Sequence, residues 1–456
     1  MNIERRAGSI LLAVVAAVAL FGSRVHAEEP VNVVSKLKDL KLKVYGFVET
    51  DIISDSTQGQ TEEQDNAQIQ KRTASGGGAD NYAGQHHRTQ MTVRNSRLGF
   101  ELSVPKTAEG IETKGVLELD ALGNQGVNTV PGSAPGTQTE RDYFNNGAIR
   151  VRHAYVDLTY GQWNAKIGQY WSLLGWQPYY FPGENAILPT PGMLYRRFVQ
   201  ARVTNTRTVA DAWTVETAVD AAKPAESNSG VPEFHAGARL ASTQYKSASS
   251  AGAGTAMIPL SLAVSGALIP VRTAVGNSNG EAVALDFSVP ILRSSDGKDK
   301  SNNLTWMGEA MNGRGVGGLE LAGLTAGVGG VTAATAGTAV DSGIAGFTNA
   351  AGTSMALIGF RLFRTHLQYT LPGGKWAVSG GYSQVEGRNL QQFSFSAATI
   401  NAISPKQQYG FLTVMYDPLA WLRLAADFNQ TRDTYNDNAN RHAQNNRAQF
   451  TTYFVF

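Results

Sequence analysis

Charged side chains recur at alternate positions within several short apolar segments of this sequence. Glu118 and Asp120 stand two residues apart in GVLELDA, and Arg97 and Glu101 alternate with apolar residues in SRLGFELSV. A period of two places the charges on one face of a β-strand and the apolar residues on the other. Facing rows of acids and bases could orient polar solutes, whereas bond-making catalysis needs a nucleophile and a base at one point.

The histidines give little support to a catalytic or metal site. None has H-x-x-x-H or H-E-x-x-H spacing, and the sequence has no G-x-S-x-G nucleophile motif and no P-loop. The chain has 0 cysteines, which removes thiolate ligands and thiol nucleophiles. We therefore expect no metal, no cofactor and no enzymatic activity. An enzyme or an adhesin built on a β-barrel scaffold remains the alternative.

The first residues predict export of the chain. Arg5 and Arg6 precede an apolar run over residues 10–21, and Val25 and Ala27 occupy the small-residue positions of a cleavage site. A run this short indicates a signal peptide, residues 1–27, and not a membrane span. These residues hold three arginines and one glutamate, so their removal reduces 39 basic and 37 acidic residues to 36 of each. That balance argues against a nucleic-acid partner.

The rest of the chain repeats one pattern from end to end. Glycine is abundant, apolar and polar residues alternate, and no stretch after residue 27 is long and apolar enough for a membrane-spanning helix. After a short periplasmic N-terminal segment, residues 28–41, the alternation predicts about sixteen strands within residues 42–456. They are expected near 42–55, 88–104, 111–122, 147–160, 163–171, 197–205, 211–221, 233–246, 255–271, 281–293, 302–312, 354–370, 375–387, 406–416, 421–432 and 447–456.

The lengths of the connections favour a transmembrane barrel. Connections after odd-numbered strands tend to be long, as at 56–87, 123–146, 172–196, 313–353 and 388–405, and those after even-numbered strands are short. An even number of antiparallel strands with long extracellular loops and short periplasmic turns is typical of outer-membrane β-barrels. Aromatic residues such as Trp163, Trp376 and Trp421 gather near strand ends, as in the girdles of such barrels.

The third long connection, residues 172–196, differs from the others. It has several prolines and aromatic residues but a single acid, Glu184. A loop that only faced water would not need so many large apolar groups. We expect it to fold into the lumen as a constriction, with Glu184 opposite Arg196 and Arg202; packing against a neighbouring protomer is the alternative.

The inward faces of the early strands carry charges of both signs. Arg150 and Arg152 share the phase of lipid-facing residues, so we expect them either on the aqueous rim or turned inward by a β-bulge. The candidate pore-lining and constriction residues are Arg97, Glu101, Glu118, Asp120, Arg152, His153, Asp157, Lys166, Glu184, Arg196 and Arg202.

Two further segments are distinctive. Residues 315–353 consist mostly of Gly, Ala, Thr and Val, and we expect them to be mobile or to lie over the mouth of the barrel. The last strand, RAQFTTYFVF, must pair with the first strand near Val44–Val48, because a barrel in lipid cannot leave an open edge. Phe454 and Phe456 would then face lipid, and they resemble the signal read by the outer-membrane assembly machinery.

These motifs resemble those of the DcaP-like trimeric outer-membrane porins. The resemblance rests on RNSRLGFEL, on IRVRHAYVDLTYGQWNAKIGQYWSLLG and on the terminal phenylalanine. It implies a sixteen-stranded homotrimer in the bacterial outer membrane that passes small hydrophilic, often anionic, solutes by passive diffusion. The positions that match the family motifs are Arg97, Arg152, His153, Gln169, Trp171 and Ser172.

Overall fold

A computed structural model of the chain describes residues 39–57, 62–63, 69, 84, 86–123, 148–180, 183–224, 229–251, 254–317, 321–323, 331, 337, 340–341, 343–394, 403–435 and 442–456. The predicted signal peptide, and residues 28–38 of the predicted periplasmic segment, lie outside this part of the chain. Within it, no helix has the length and apolar character needed to span a membrane.

The described residues are almost entirely β-structure, as the alternating pattern predicts. The strands are β1 (Lys41–Asp55), β2 (Arg88–Thr92), β3 (Arg97–Val104), β4 (Glu112–Gly123), β5 (Ala148–Tyr160), β6 (Trp163–Trp171), β7 (Arg197–Ala210), β8 (Trp213–Ala222), β9 (Glu233–Ala251), β10 (Gly254–Thr273), β11 (Gly276–Leu292), β12 (Asn303–Arg314), β13 (Ala345–Phe347), β14 (Met355–Leu357), β15 (Gly359–Thr370), β16 (Trp376–Gly387), β17 (Lys406–Leu419), β18 (Leu422–Thr434) and β19 (His442–Val455).

All strands except β13 and β14 form one antiparallel sheet that closes on itself. From β3 onward each strand of this sheet pairs with the next, with β12 pairing with β15, and β1 pairs with β19, with Phe47 opposite Val455 and Asp55 opposite Arg447. Both β2 and β3 pair with β1, so they are two halves of one barrel strand. The barrel therefore has sixteen strands, and the predicted fold class is confirmed.

Alternation along most strands separates an apolar outer face from an inner face that is largely polar. In β1, Val48 and Ile52 are 51% and 43% exposed, whereas Glu49 and Asp51 between them are 0% exposed. A lipid-facing surface needs apolar side chains, and a closed barrel satisfies the backbone hydrogen bonds of every strand. Trp163, Trp376 and Trp421, each at least 44% exposed, lie beside the short turns.

Several predicted boundaries are wrong: β7 ends at Ala210 and β9 at Ala251, where 205 and 246 are predicted, and further differences lie between β10 and β15. The connection between β10 and β11 has only two residues, 274–275, although it lies at the end of the barrel where most connections are long. Pro259 and Pro290 remain within strands, at register shifts, because a bulge tolerates the missing N–H donor. The strand predicted at 354–370 begins only at Gly359, because 355–357 belong to the separate β13–β14 hairpin.

Candidate pore and constriction

The third long connection, residues 172–196, lies inside the barrel and is called the crossing loop below. Gly175 donates its backbone N–H to a serine hydroxyl on β10, at 2.8 Å. Asn185 donates to a threonine hydroxyl on β19, at 2.6 Å, and the carbonyl of Pro191 accepts from a serine on β16, at 2.5 Å. Because these strands lie on different sides of the barrel, the loop spans the lumen between them.

Glu184, the acid of the crossing loop, is held by three donors. Its carboxylate accepts hydrogen bonds from Thr190 at 2.7 Å, from Arg364 of β15 at 2.7 Å and from the Tyr409 hydroxyl of β17 at 3.1 Å. Glu184 is 3% exposed and Arg364 is 2% exposed. A buried ion pair with several further hydrogen bonds fixes its geometry, because loss of either partner leaves an uncompensated charge.

The predicted placement of Glu184 opposite Arg196 and Arg202 is therefore wrong. Arg196 forms an ion pair with Glu233 at 2.7 Å, and Arg202 forms one with Asp220 at 3.2 Å. Both arginine side chains are buried, but each meets another carboxylate: Arg202 of β7 meets Asp220 on the adjacent strand β8, and Arg196, directly before β7, meets Glu233 at the start of β9. The path of the crossing loop instead carries Glu184 to β15 and β17.

A β-bulge in β5 turns the side chain of Arg152 into the lumen. Arg152 and His153 both lie opposite Glu118 of β4, so both side chains are inward and buried. This is one of the two outcomes expected for Arg152. The amide of Gln169 on β6 donates to the carbonyl groups of residues 151 and 152, at 2.6 and 3.2 Å. Gly168 has φ 128°, and a Cβ there would lie 2.2 Å from a β5 carbonyl oxygen, so the site requires glycine.

The bulge gathers arginines around two carboxylates. Arg152 donates to Glu118 at 2.7 Å and to Asp120 at 2.9 Å. Arg150 also bonds Asp120, at 2.8 Å, and Nε of Arg97 lies 3.6 Å from a Glu118 oxygen. Each carboxylate is thus shared between two guanidinium groups. These side chains point inward and contact one another. The lumen wall at β3–β5 is therefore strongly polar and crowded with positive charge.

A further guanidinium, that of Arg197, completes this group. It lies over the rings of Trp171 and Tyr195, 4.7 and 5.4 Å from their centroids. Its Nη1 atom has no hydrogen-bond partner in the described part of the chain. Burial alone would raise the pKa of the Tyr195 hydroxyl, but the positive charges of Arg197 and the other three arginines outweigh burial and lower that pKa. We call Arg97, Arg150, Arg152 and Arg197 the arginine cluster.

Other predicted site residues are paired locally. Asp157 bonds Lys166, whose ammonium also lies over the Tyr155 ring at 4.0 Å, and Glu101 lies 4.0 Å from Lys114. Opposite charges on neighbouring strands at such distances largely cancel at longer range. These pairs contribute to the polarity of the wall and leave the arginine cluster as the more prominent charged feature.

His153 does not have the surroundings of a catalytic base. Its ring packs against Tyr170 and Trp171, at 5.2 and 5.4 Å between centroids, and Nε2 lies 3.9 Å from Glu118. Across the described residues, no group of three or more His, Asp or Glu side chains is arranged to hold a metal ion.

A cavity of about 620 Å³ connects the two charged regions inside the barrel. The arginine cluster contributes Arg97 and Arg152 to its lining, and the crossing loop contributes Glu184 and Tyr179. The cavity is therefore lined by charged groups of both signs, including the ion-paired Arg152 and Glu118.

Two residues of the site, Arg364 and Arg197, are not identified from the sequence. Arg364 shares the inward phase of the alternating segment RTHLQ in β15, so the signal was present in the pattern. Arg197 could not be found in this way. It follows the buried Arg196 directly, so a period of two places it on the other face, and its position over Trp171 and Tyr195 appears only in the structure.

Known structures of the same shape are outer-membrane channels. The outer membrane channel DcaP of Acinetobacter baumannii is similar with a TM-score of 0.58 and 15% identity, over 92% of this chain and 98% of that chain. An anion-selective porin from Comamonas acidovorans is similar with a TM-score of 0.53 and 10% identity, over 91% of this chain and 100% of that chain. No protein-family model and no curated protein matches the sequence. The predicted resemblance to the DcaP-like porins is therefore confirmed for the fold.

Proposed function

We propose that this protein is a porin of the bacterial outer membrane, through which small hydrophilic solutes diffuse passively. The observation that carries this proposal is a closed sixteen-stranded barrel with an apolar outer face and a polar interior that a loop crosses. A barrel of this size encloses an aqueous space, and the groups lining its narrowest part decide which solutes pass.

We further propose a preference for anions, based on the arginine cluster. Three of its four guanidinium groups lie within 4 Å of a carboxylate among the described residues, namely Glu118, Asp120 and, at 3.1 Å from Arg150, Glu63. Arg197 is the member without a carboxylate partner in this part of the structure. Excess positive charge beside an aqueous path raises the local concentration of anions.

Planar-bilayer recording of the purified protein tests both statements. Discrete ohmic conductance steps are expected, and their absence from correctly folded protein would refute the channel. The reversal potential in a salt gradient should have the sign of an anion-selective pore. A cation-selective reversal potential would refute the anion preference and leave the channel itself intact.

The protomer is proposed to act in a homotrimer surrounded by outer-membrane lipid. Support comes from the similarity of the motifs to trimeric porins and from the continuous apolar belt on the outer face. Mass photometry of detergent-solubilised protein should give three copies per particle. A monomer that conducts like the native protein would show that the channel does not need the trimer.

We also propose that Phe454 and Phe456 are recognised by the outer-membrane assembly machinery. Both rings are 50% exposed, on the strand that closes the barrel against β1. In addition, Gly46 of β1 donates its N–H to the Phe456 carbonyl at 3.0 Å. The closing strand is thus paired to its last residue and still presents two aromatic rings outward.

Catalysis is not part of the proposed function. Within the described ranges, the closest approach to a catalytic pair is His235 with Asp220, at 2.6 Å, and the Nε2 atom of that ring lies 3.9 Å from Glu233, an acid and not a nucleophile. A lipid-hydrolysis assay on the purified protein should show no turnover. Turnover abolished by His235→Ala would contradict this.

A further inference from the structure

The long connection between β12 and β15, residues 315–358, is joined to the crossing loop inside the barrel. Gly192 donates its N–H to the carbonyl of Ala322, and Ala322 donates to the carbonyl of Met193, both at 2.9 Å. Leu194 and Leu321 stand opposite each other in an antiparallel bridge. Residues 321–323 of this Gly- and Ala-rich connection, expected to be mobile or to lie over the mouth, are thus held against the crossing loop.

Apolar packing supports the same junction. Leu194 is 0% exposed and Leu321 is 1% exposed, and both belong to a buried cluster with residues of the barrel wall. The wall contributes inward-facing apolar side chains at the end of the barrel where the long loops lie, namely Ile269, Val271, Ala282, Ala284, Met311, Phe360, Leu362 and Val385. An apolar inner wall is unfavourable against water, so the two loops that cover it are held there by the hydrophobic effect.

The crossing loop is fixed on its other side by the wall. Leu194 donates its N–H to Glu309 of β12 at 3.1 Å, and the carbonyl of Pro191 accepts from Ser383 of β16 at 2.5 Å. Residues 190–194 therefore lie between the wall and residues 321–323.

Glycines allow this close stacking. Gly192 has φ 75°, and a Cβ there would lie 2.9 Å from the Ser383 side chain. Gly323 has φ 91°, and a Cβ there would lie 2.4 Å from the Gln407 side chain and 3.3 Å from the Gly192 nitrogen. Both positions combine a left-handed backbone with contact distances that a larger residue would violate.

We propose that residues 321–323 are a brace: they press the end of the crossing loop, residues 190–194, against the barrel wall and thereby fix the width of the channel. The inference rests on the proposed channel function. It follows from the position of the brace: the segment it holds contains Thr190, which donates to Glu184 at 2.7 Å. Displacement of 190–194 would therefore also displace the acid of the crossing loop.

A cysteine pair tests the junction directly, because the chain has 0 native cysteines. Residues directly opposite in an antiparallel pair have Cα atoms about 4.5–5.5 Å apart, within the range that a disulfide bridges. The variant Leu194→Cys/Leu321→Cys should therefore cross-link on oxidation, as seen by migration on a non-reducing gel. The control Leu194→Cys/Ala351→Cys places the second cysteine at an exposed position of the same connection and should not. Failure of the first pair to cross-link in folded protein overturns the brace, whatever the wild type conducts.

Single-channel recording tests the functional consequence. Leu321→Asp places a charge in the buried junction and should replace the single open level by fluctuating levels, whereas Ala351→Asp should conduct as the wild type does. If Leu321→Asp does not fold, the cysteine pair decides instead: its oxidised form should give a stable level and its reduced form a fluctuating one. Identical recordings from both forms, or a wild-type recording from folded Leu321→Asp, would refute the brace. A wild type that forms no channel would instead refute the proposed function.

Discussion

Replacement of Arg197 by glutamine should weaken the anion preference of the channel without closing it. The Arg197 guanidinium lies over Trp171 and Tyr195 and has no carboxylate partner among the described residues. An anion about 4 Å from it gains roughly 1 kcal/mol at the dielectric constant of water, and about 4 kcal/mol at the screening typical of a protein surface. The wet lumen favours the lower figure, which corresponds to about a fivefold change in occupancy.

The assay is the reversal potential of Arg197→Gln in a gradient of potassium chloride. The anion-to-cation permeability ratio should fall by up to about fivefold at low salt, and the difference should shrink near 1 M, where the Debye length is about 3 Å. Arg361→Gln is the matched control. It makes the same chemical change at an outward-facing residue of β15, whose guanidinium pairs with Glu386 at 2.7 Å.

Two results would refute this reasoning. An unchanged permeability ratio in Arg197→Gln would show that ions do not pass close to the arginine cluster. An equal fall in Arg361→Gln would show that the net charge of the whole protein, and not a local site, sets the selectivity. Heat-modifiable migration of both variants on a gel should match the wild type, since each replacement is polar and neither position lies in an apolar core.

Three further changes test other parts of the structure. Glu184→Gln leaves Arg364 buried beside a neutral group, at a cost on the order of 3–5 kcal/mol, and should alter single-channel conductance; unchanged conductance would place the crossing loop outside the ion path. Gly168→Ala should prevent barrel assembly, because its Cβ would overlap a β5 carbonyl oxygen, whereas Gly115→Ala, with nothing within 4 Å of its Cβ, should fold; equal amounts of heat-modifiable protein would count against the required glycine. Phe456→Ala should lower the amount of protein in the membrane more than it lowers conductance, and more than Phe428→Ala does at a comparably exposed ring; normal membrane levels would remove the proposed assembly role.

Much of the barrel could be predicted because strand alternation is a local property. The inward phase of Glu118, Asp120, Asp157 and Lys166 follows from a period of two, which needs no knowledge of distant contacts. The polarity of the lumen and the apolar outer face are consequences of the same rule. The region from β10 to β15 departed from prediction because proline-containing bulges and a tight turn interrupt the local pattern there.

The partners of the site residues depend on contacts between residues that are far apart in the sequence. Glu184 lies 180 positions from Arg364, and no periodicity relates a loop to the strand on which it lands. The position of Arg152 was open because one extra residue in a strand reverses the facing of every residue beyond it, and the register shift appears only when β5 is paired with β4.

The sequence by itself thus determined a closed barrel of sixteen strands, the face on which most side chains lie, and a crossing loop with a single acid. Only the tertiary structure decided that Arg152 and Arg197 share one cluster, that Glu184 meets Arg364, and that residues 321–323 lie against the crossing loop. The physical reason is that strand phase is set by neighbouring residues, whereas contacts across a lumen are set by closure of the barrel and by the apolar surfaces that the loops must cover.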